Sequence, residues 1–514
     1  MNKKSLKIAE IALPTLLVGF LSAGCGGTPA SSNTTSSANS RSSSSTSSSK
    51  SWVEPTPFDG TGYYDSVASR VAYQDGSELS FDEDFSSGTM SDDLFWVIDG
   101  YWDAGGTTNW HNGVRARNLR YVKNGSDTYL GIKARGSYCH DADMVKTSAG
   151  HIKPEGACIM TKNFLKPGRF EINMATMPRE GAVTAMWTYY SKTGSEATSQ
   201  NEIDIEIGGD AQYTNEWTTT WTTHTDKETD SVDVSKVCYL NDGKFHKYTF
   251  DWYTNYGPNG LKRVDWFVDG ILIKSITGTC VPEMMMPLWI GLWCPSWAGN
   301  PYFAYDYMLV KDIAYKEFDE NSQYVDEVRN SNPAYTHTNP SASSIASEAY
   351  AATQSVEKLG NTDFESLTKC VTDDSYFGWT PENASLGTVT LSDEHSEGSH
   401  SYQLNASTTS SEEYHGEYLD AKVSLAYPGY QYAYSVDAKL LTASSKGNLE
   451  IRYKDKNGST IKTETKAVSG TSWATLSGAV TMPAKSASLQ LTLTAEDGSV
   501  LYDNASLKFK GLAA

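Results

Sequence analysis

The 514-residue sequence lacks an excess of basic charge. Its 62 acidic side chains outnumber the 42 basic ones, and the formal net charge is −20. Phosphate backbones and anionic lipid surfaces attract clustered lysine and arginine, so this balance argues against nucleic acid and anionic lipid as partners. It also argues mildly against a sulfated or otherwise anionic substrate.

The sequence also has no apolar run long enough to cross a bilayer as a helix, which needs about 20 residues. Near the N-terminus, Lys3, Lys4 and Lys7 precede a short apolar run from Ile11 to Phe20, and small residues then lead to Cys25. A basic start, a short apolar segment and small residues are typical of a secretory signal. Export of the chain is therefore predicted.

The cysteine makes this segment similar to a bacterial lipoprotein signal. That resemblance implies cleavage after residue 24 and lipidation of Cys25, and the alternative is an ordinary signal peptide with a chance cysteine. Residues 25–54 are nearly all Ser, Thr, Gly, Ala and Asn, a composition that cannot offset its ordering entropy. We expect a tether there, and a protein anchored by lipid in the outer leaflet at the bacterial cell surface.

Cysteine is scarce, and none of it has the spacing of a metal motif. We therefore predict no metal site in the first folded region. Five of the remaining cysteines fall in that region and one in the second, so they cannot all pair within domains. The pairing stays open among Cys139, Cys158, Cys238, Cys280, Cys294 and Cys370.

The rest of the chain is long enough for two domains. Residues 55–320 and 359–514 read as short alternating strands separated by Gly, Asn, Asp and Pro, without a long helical period. This pattern predicts an all-β protein with two β-sandwiches, the second smaller. Residues 321–358 are polar and contain two Asn-Pro pairs, which predicts a linker with a short helix near 345–351 and domains that move independently.

One stretch of the first region alternates acidic and β-branched residues without interruption. Successive side chains on a strand point to opposite faces, so the acids share one face and the isoleucines share the other. A solvated outer face is the ordinary explanation of such alternation, but three acids without a basic partner are unfavourable there. The acids are Glu202, Asp204 and Glu206, and the isoleucines are Ile203, Ile205 and Ile207.

Like charges at neighbouring positions repel, so at least one of these carboxyl groups is expected to have a raised pKa. A carboxylic acid beside a carboxylate is the pair that glycoside hydrolysis needs. The Cα atoms of Glu202 and Glu206 are expected about 13 Å apart at about 3.3 Å per residue. If the side chains lean together, their separation approaches the roughly 5 Å of retaining enzymes rather than the wider gap of inverting ones.

The segment Glu202–Glu206 resembles the active-site strand of glycoside hydrolase family 16. That resemblance implies a retaining endo-β-glycanase on a curved jelly-roll sandwich. It extends over more than 200 residues, in chain order. The other matching segments are Phe81–Phe85, Asn112–Gly113, Pro167–Glu171, Ala185–Tyr189, Phe245–Tyr248, Trp266–Gly270, Leu288–Trp289 and Trp297–Gly299.

The resemblance implies a role for each acid. Glu202 is the nucleophile that forms a glycosyl-enzyme, Glu206 is the general acid and base, and Asp204 holds Glu202 and modulates both titrations. No cofactor is required. Asn112 occupies the position of a sugar-contacting asparagine, and the candidates for stacking on sugar, each with core packing as its alternative, are Trp187, Trp221, Trp289 and Trp297.

The strand lacks the extra residue that gives some members a bulge, and the unbulged form resembles lichenases, which cut mixed-linkage β-1,3-1,4-glucan. The lichenase pattern has an arginine around Ala157–Met160, and this sequence has none there. Xyloglucan hydrolase or transglycosylase activity and β-1,3-glucanase activity remain alternatives. A non-catalytic glycan-binding lipoprotein is the alternative from another class. We expect a monomer whose partner is a β-glucan polysaccharide.

The second region resembles carbohydrate-binding modules of families 4 and 9. The resemblance is carried by Asn361–Glu365 with Trp379, by Pro428–Tyr430 and by Tyr502–Asn504. Such sandwiches often hold a structural Ca²⁺, and carboxylates near the two ends of the region are the candidates for it. These are Asp363 and Asp503, and the tyrosines that are candidates for facing sugar are Tyr402, Tyr414 and Tyr418.

Overall fold

A computed structural model describes residues 76–100, 111–191, 200–211, 219–224, 228–231, 234, 237–254, 262–319, 335–367, 376, 378–381, 387–406, 417–423 and 426–512. The predicted signal peptide, Cys25, the tether, Cys370 and Tyr414 lie outside these residues. Within the described ranges, no helix combines the length and the apolar character needed to cross a bilayer.

Strands make up most of the described chain. Those of the first region are β1 (Phe81–Glu83), β2 (Phe95–Gly100), β3 (Leu119–Asn124), β4 (Asp127–Arg135), β5 (Ala157–Thr161), β6 (Gly168–Ala175), β7 (Val183–Ser191), β8 (Gln200–Gly208), β9 (Thr219–His224), β10 (Glu228–Ser231), β11 (His246–Tyr253), β12 (Arg263–Val268), β13 (Ile271–Thr277), β14 (Leu288–Trp293), β15 (Tyr305–Glu317), β16 (Tyr335–Thr338) and β17 (Ala346–Ala349). The helix α1 (Tyr350–Gln354) follows, and 3-10 turns occupy Ala116–Asn118, Ser296–Ala298 and Pro340–Ala342.

The second region contains smaller sheets, with fewer strands. Its strands are β18 (Trp379–Pro381), β19 (Gly387–Ser392), β20 (Ser401–Ala406), β21 (Glu417–Val423), β22 (Tyr430–Leu440), β23 (Asn448–Lys454), β24 (Thr460–Ala467), β25 (Ala474–Thr481), β26 (Ser488–Ala495) and β27 (Ser499–Leu512).

Two sheets form the first domain, and their strands pair antiparallel except for β17. The described strands of one sheet run in the order β13-β12-β11-β6-β15-β4-β3-β17, with β1 also paired to β15, and those of the other run β10-β9-β8-β7-β14-β5-β2-β16. One core fills the space between them, and both sheets contribute to it, for example through Phe170 and Trp252 from the first and Ile205 from the second. The predicted jelly-roll sandwich is thereby confirmed.

The second domain is a smaller sandwich of two sheets. Their orders among the described strands are β18-β21-β26-β23-β24 and β19-β20-β27-β22-β25. Alternation along β22 and β23 buries every second residue, as a sheet with one dry face requires. A second β domain is therefore confirmed, with a core of its own that includes Trp379 and Tyr453.

A hairpin turn at Asp269–Gly270 joins β12 to β13. Both residues have positive φ, 48° and 78°, which is the backbone of a tight hairpin turn and explains why Asp-Gly is favoured there. The carboxylate of Asp269 also accepts hydrogen bonds from His246 and from the amide of Lys247, at 2.7 Å and 2.8 Å. The turn is thus fixed to the start of β11.

Residues 335–359, which we call the strap, are structured although the sequence predicts most of them as linker. β16 adds an edge strand to the second sheet by pairing with β2, and β17 adds a parallel edge strand to the first sheet by pairing with β3. Glu348 accepts a hydrogen bond from Tyr307 at 2.7 Å, and Val356 is buried against the first domain. The strap then enters the second domain, where Leu359 lies in the core.

The independent domain motion predicted from the sequence is not what the structure shows. Tyr427 and Tyr430 of the second domain donate hydrogen bonds to the carbonyls of Leu240 and Asp242 of the first. The ring of Tyr239 lies 4.4 Å from that of Tyr427 and belongs to the core of the second domain. The two domains are therefore docked against each other.

One side chain of the first sheet is hydrogen-bonded to β8 of the second sheet. Trp266, on β12, is fully buried, and its indole N–H donates to the backbone carbonyl of Asp204 on β8 across the core, at 3.2 Å. Trp252, on β11, is equally buried but donates to the carbonyl of Pro282, at 2.8 Å. The two tryptophans thus make the same kind of bond to different parts of the domain.

We expect Trp266→Phe and Trp252→Phe to lower the free energy of unfolding by similar amounts, about 1–3 kcal/mol, because each leaves a buried carbonyl without its indole donor. Only Trp266→Phe should also speed amide hydrogen exchange in residues 200–208. Urea denaturation and exchange measured by mass spectrometry test this pair, and equal exchange of β8 in the two variants would contradict the role of Trp266.

Candidate active site

The acidic strand predicted from the sequence is β8, which lies between β7 and β9. Both ladders continue from Glu202 to Glu206 without a register shift, so the strand has no bulge there. The two glutamates are half-buried and Asp204 is buried. As the alternation predicts, the isoleucines at 203, 205 and 207 are fully buried in the core.

A pair of tryptophans continues the face beside Asp204. Asp204 lies opposite Trp187 on β7, and Trp187 lies opposite Trp289 on β14. Directly opposite residues of antiparallel strands share a face, so both indoles lie on the face of the acids. Their rings stack with centroids 5.8 Å apart and an interplanar angle of 17°.

Small side chains form the adjacent row. Glu206 lies opposite Ala185, Ala185 lies opposite Gly291, and Gly291 lies opposite Cys158. A Cβ atom at Gly291 would lie 3.2 Å from the Sγ of Cys158, so the row is already filled without one. Because these side chains are smaller than the two tryptophans, the surface of the sheet lies deeper along the Glu206 row than along the tryptophan row.

A second aromatic group stands beyond the Glu206 row. Trp293, at the end of β14, lies across β7 from Gly208. Its ring makes edge-to-face contacts with Trp297 and His111, each with centroids 6.0 Å apart. Trp297 is 44% exposed. The Glu206 row is thus bordered by the stacked tryptophans on one side and by this group on the other.

Asn112, predicted to contact sugar, is fully buried. Its amide nitrogen donates to Glu155 at 2.8 Å, and its amide oxygen accepts from Arg115 at 3.0 Å. Glu155 is also buried and is bound by Arg117 and Asn118. The geometry therefore favours a structural role for Asn112, because its side chain has no exposed surface to offer a sugar.

The other predicted tryptophans differ in position. Trp221 lies opposite Ile205 in the backbone register of β9, a position shared with the core-facing isoleucines rather than with the acids, and its side chain lies outside the described residues. Trp289 is only 5% exposed, whereas Trp187 is half-buried. The structure therefore brings Trp187, Trp289 and Trp297 to the acidic face.

Sequence reasoning missed three residues of this face. Trp293 shares the face of Trp289 because it lies four residues along the same strand, and that alternation was available in the sequence. Tyr189 lies opposite Glu202, again as alternation with Trp187 indicates. His111 precedes Asn112 in a segment without regular structure, and no periodic signal marks it.

A cluster with metal-ligating residue types lies elsewhere in the first domain. A thiol sulfur of Cys238, a ring nitrogen of His246 and a carboxylate oxygen of Asp269 lie within 4.8 Å of one another. The two ring nitrogens of His246 contact Asp269 at 2.7 Å and Asp242 at 3.2 Å. A metal ion would require His246 to give up one of these carboxylate contacts, so we assign the cluster a structural role.

The five cysteines in the described part of the chain are free thiols, and all are buried. Burial raises the pKa of Cys158, and it raises the pKa of Cys238 against the opposing effect of His246. These groups therefore stay neutral near pH 7.

The second-domain candidates are engaged inside the protein. Asp503 is buried and accepts from the amides of Ser396 and Glu397, at 2.8 Å and 3.0 Å. Asp363 accepts a hydrogen bond from Tyr138 of the first domain. Tyr402 is fully buried in the core, so it does not face sugar, and the side chain of Tyr418 lies outside the described residues. The Ca²⁺ site stays a prediction.

These features define a two-domain β-sandwich protein with a carboxylate-bearing strand bordered by tryptophans. Residues 122–308 match the family described as "Glycosyl hydrolases family 16", and residues 356–499 match the family described as "Carbohydrate binding domain". The first domain is therefore similar to family 16 glycosyl hydrolases, and the second is similar to carbohydrate-binding domains.

Among curated proteins, the chain is 29% identical over 147 residues to the xylanase/beta-glucanase of Ruminococcus flavefaciens, a match that covers 28% of this chain and 16% of that protein. It is 25% identical over 149 residues to the beta-glucanase of Brevibacillus brevis, covering 27% of this chain and 51% of that protein. The chain thus spans about half or less of the length of these relatives.

Two solved structures are also similar. The Bacillus licheniformis beta-glucanase is 21% identical with a TM-score of 0.35, and the alignment covers 46% of this chain and 98% of that one. The laminarinase catalytic domain from Thermotoga maritima is 19% identical with a TM-score of 0.37, covering 47% and 98%.

Two tryptophan variants separate packing from ligand contact. Trp289→Ala should lower the free energy of unfolding by about 3–5 kcal/mol, because it empties a buried site. Trp297→Ala should change that free energy by less than about 0.5 kcal/mol but weaken the binding of oligosaccharides at the acidic face about tenfold, or 1.4 kcal/mol. Urea denaturation and calorimetric titration measure the two quantities. Unchanged affinity in Trp297→Ala would remove this residue from the candidate site.

The His246 cluster gives a pH prediction. Burial opposes its charge, but hydrogen bonds to Asp242 and Asp269 outweigh this and raise the pKa of His246 to about 12. A raised histidine pKa contributes stability that is present in full below about pH 6.5 and is lost as the pH rises toward 12. His246→Gln should therefore cost more stability at pH 6 than at pH 9.

Urea midpoints of the wild type and of His246→Gln at the two pH values provide the measurement. His395→Gln, at an exposed turn, is the control and should cost little at either pH. A cost of His246→Gln that does not vary between pH 6 and pH 9 would show that the imidazolium does not stabilise the fold.

Proposed function

We propose that the first domain is a retaining endo-β-glucanase and that mixed-linkage β-1,3-1,4-glucan is its preferred substrate. The observation that carries this proposal is the unbulged β8, which presents Glu202, Asp204 and Glu206 on one face, with stacked tryptophans beside Asp204 and a second tryptophan pair beyond the Glu206 row. The match of this region to glycosyl hydrolases family 16 supports hydrolysis of a glycosidic bond.

The reaction proceeds in two displacements. The carboxylate of Glu202 attacks the anomeric carbon while the carboxylic acid of Glu206 gives its proton to the leaving oxygen, which breaks the glycosidic bond and forms a glycosyl ester. Glu206, now a carboxylate, takes a proton from water, whose oxygen attacks the anomeric carbon and releases Glu202. Two inversions retain the configuration.

The environment of the acids suits this division of labour. Asp204 is buried and lies between the two half-buried glutamates on the same face of β8. A carboxylic acid beside a carboxylate is the pair that the first step needs. Half-burial of Glu202 and Glu206 keeps the pair within a region of reduced dielectric and still open to substrate.

Aromatic side chains support a neutral sugar polymer as substrate. The flat faces of Trp187 and Trp297 match the apolar faces of pyranose rings, and the net charge of −20 disfavours anionic glycans. The continuous register of β8 favours mixed-linkage glucan over the substrates of bulged relatives. Xyloglucan and β-1,3-glucan are the alternatives within the same reaction class.

Two alternative functions differ from hydrolysis in their chemistry. A transglycosylase would use the same glycosyl ester but transfer it to a sugar hydroxyl, and product length at high acceptor concentration distinguishes it. A non-catalytic glycan-binding lipoprotein would bind without turnover, and the intact acid triplet argues against it. The relatives' names, xylanase/beta-glucanase and beta-glucanase, support a hydrolase.

The rest of the chain completes the proposal. The second domain binds glycan, in keeping with its match to a carbohydrate-binding family, and a structural Ca²⁺ there is part of the proposal. Catalysis needs no cofactor. We place the protein as a monomer at the bacterial cell surface, held by a lipid on Cys25 and the Ser/Thr-rich tether.

Glu202→Gln and Glu206→Gln test the assignment. Each should lower kcat on barley β-glucan by at least about 10³-fold, because the amide neither attacks the anomeric carbon nor transfers a proton, while the circular dichroism spectrum stays unchanged. Reducing-end assays with product chromatography give the rate, and laminarin, xyloglucan and agarose compared in parallel give the specificity.

Glu171→Gln is the matched control, since Glu171 is half-buried on β6 of the other sheet. It should keep full activity. Near-normal turnover by either β8 variant would refute the roles of these glutamates, and an inactive wild type on every substrate would favour the non-catalytic reading.

A further inference from the structure

Two segments of the first domain connect the candidate site to the second domain. We call residues 177–182, between β6 and β7, the Arg179 loop, and residues 295–303, between β14 and β15, the Trp297 loop. The amide of Gly181 donates to the carbonyl of Ala298 at 2.8 Å. A Cβ atom at Gly181 would lie 2.3 Å from the nitrogen of Pro301, so the two loops are in backbone contact.

The Arg179 loop also touches the end of the acidic strand. The amide of Gly209, one residue after β8, donates to the carbonyl of Ala182 at 2.8 Å. A Cβ atom at Gly209 would lie 1.9 Å from the carbonyl oxygen of Arg179, a distance that only glycine allows. The loop is therefore wedged between β8 and the Trp297 loop.

Arg179 itself carries the contact to the strap. Its side chain is 8% exposed, and its guanidinium donates to the carbonyl of Glu357 at 3.3 Å. The same carboxylate of Asp306 lies 4.0 Å from Arg179 and 2.8 Å from the ammonium of Lys358. The guanidinium also lies over the ring of Phe303, in the Trp297 loop, at 5.1 Å.

Glu357, the strap residue next to Arg179, is hydrogen-bonded to the second domain. The carboxylate of Glu357 accepts from the amide of Leu507 and the hydroxyl of Ser506, each at 2.7 Å, and the amide of Lys358 donates to the carbonyl of Leu507 at 2.8 Å. Movement of β27 away from the first domain would therefore displace Glu357, whose carbonyl accepts the hydrogen bond from Arg179.

A second connection reaches the Trp297 loop from the other side. Tyr138 donates its hydroxyl to Asp363 of the second domain, while its amide donates to the carbonyl of Phe303 at 3.2 Å. Ser137 beside it donates its amide and its hydroxyl to the carbonyl of Pro301, each at 2.9 Å. The Trp297 loop is thus held at Ala298 by the Arg179 loop and at Pro301 and Phe303 by the pair Ser137–Tyr138, of which Tyr138 also contacts the second domain.

We propose that the second domain is a structural part of the candidate site: by docking on the first domain, it positions the Trp297 loop beside the acidic face. The second domain then affects the turnover of short soluble substrates as well as that of polymers. A domain that only tethers the enzyme to polysaccharide would not affect the turnover of short substrates. The kinetic part of this inference rests on the proposed function, and the structural part does not.

The variant Tyr427→Phe/Tyr430→Phe tests the docking without altering the first domain. It removes two hydroxyls that donate to carbonyls of the first domain and keeps both rings in place. Tyr453→Phe is the matched control, because its buried hydroxyl bonds to Glu464 within the second domain. Tyr430→Glu, which puts a charge against the carbonyl of Asp242, is the stronger variant if the double variant stays docked.

Calorimetry of the full chain reports docking, and hydrogen exchange of residues 295–303 reports the Trp297 loop. We expect one unfolding transition and slow exchange in the wild type and in Tyr453→Phe. In the undocked variant we expect two transitions and at least about tenfold faster exchange of the loop. Two transitions with unchanged exchange would overturn the proposal, and so would two transitions in the wild type.

Kinetics on a short chromogenic β-glucan oligosaccharide add a second readout. In the undocked variant, KM should rise about fivefold while kcat changes less than twofold, because the loop binds sugar and does not touch the reacting bond. An unchanged KM in a variant shown to be undocked would overturn the catalytic part of the proposal. A wild type without activity would refute the proposed function and leave the calorimetric and exchange results to decide the docking.

Discussion

The candidate site depends on the burial of three isoleucines. Ile203, Ile205 and Ile207 are fully buried, and their alternation with the acids forces the carboxylates onto the opposite face of β8. A register slip of one residue would put the acids into the core, where isolated charges are costly. Burial of the isoleucines on one face of β8 thus holds the three acids together on the other face, although their like charges repel.

The same constraint explains which parts of the fold the sequence reveals. Alternation within a strand predicted the face of the acids, and positive φ at Asp269 and Gly270 matches the Asp-Gly hairpin signal. Both are properties of a few adjacent residues. Asn112 shows the limit of such reasoning, because its burial depends on Glu155, 43 residues further along the chain. Trp221 shows another limit, since its register opposite Ile205 depends on how β9 pairs with β8.

The sequence predicts most of the strap as a linker for a related reason. β16 and β17 add to sheet edges through backbone hydrogen bonds, which require no apolar pattern and leave the side chains polar. Their polar composition and Asn-Pro pairs are therefore compatible with both a linker and an edge strand. β16 and β17 each cover one edge of a sheet of the first domain. The strap therefore protects one edge of each sheet while it leads to the second domain.

Apart from Tyr239, which packs in the core of the second domain, the described contacts that dock the domains are polar. Tyrosine hydroxyls donate to backbone carbonyls of Leu240 and Asp242, and a buried arginine is balanced by Asp306. Burial lowers the pKa of Arg179, which shows that its charge is disfavoured there, with Asp306 and Glu357 acting in the opposite direction. A guanidinium stays charged even so, and undocking would let water reach it. The cation that joins the two loops beside the site is therefore also a group whose hydration competes with docking.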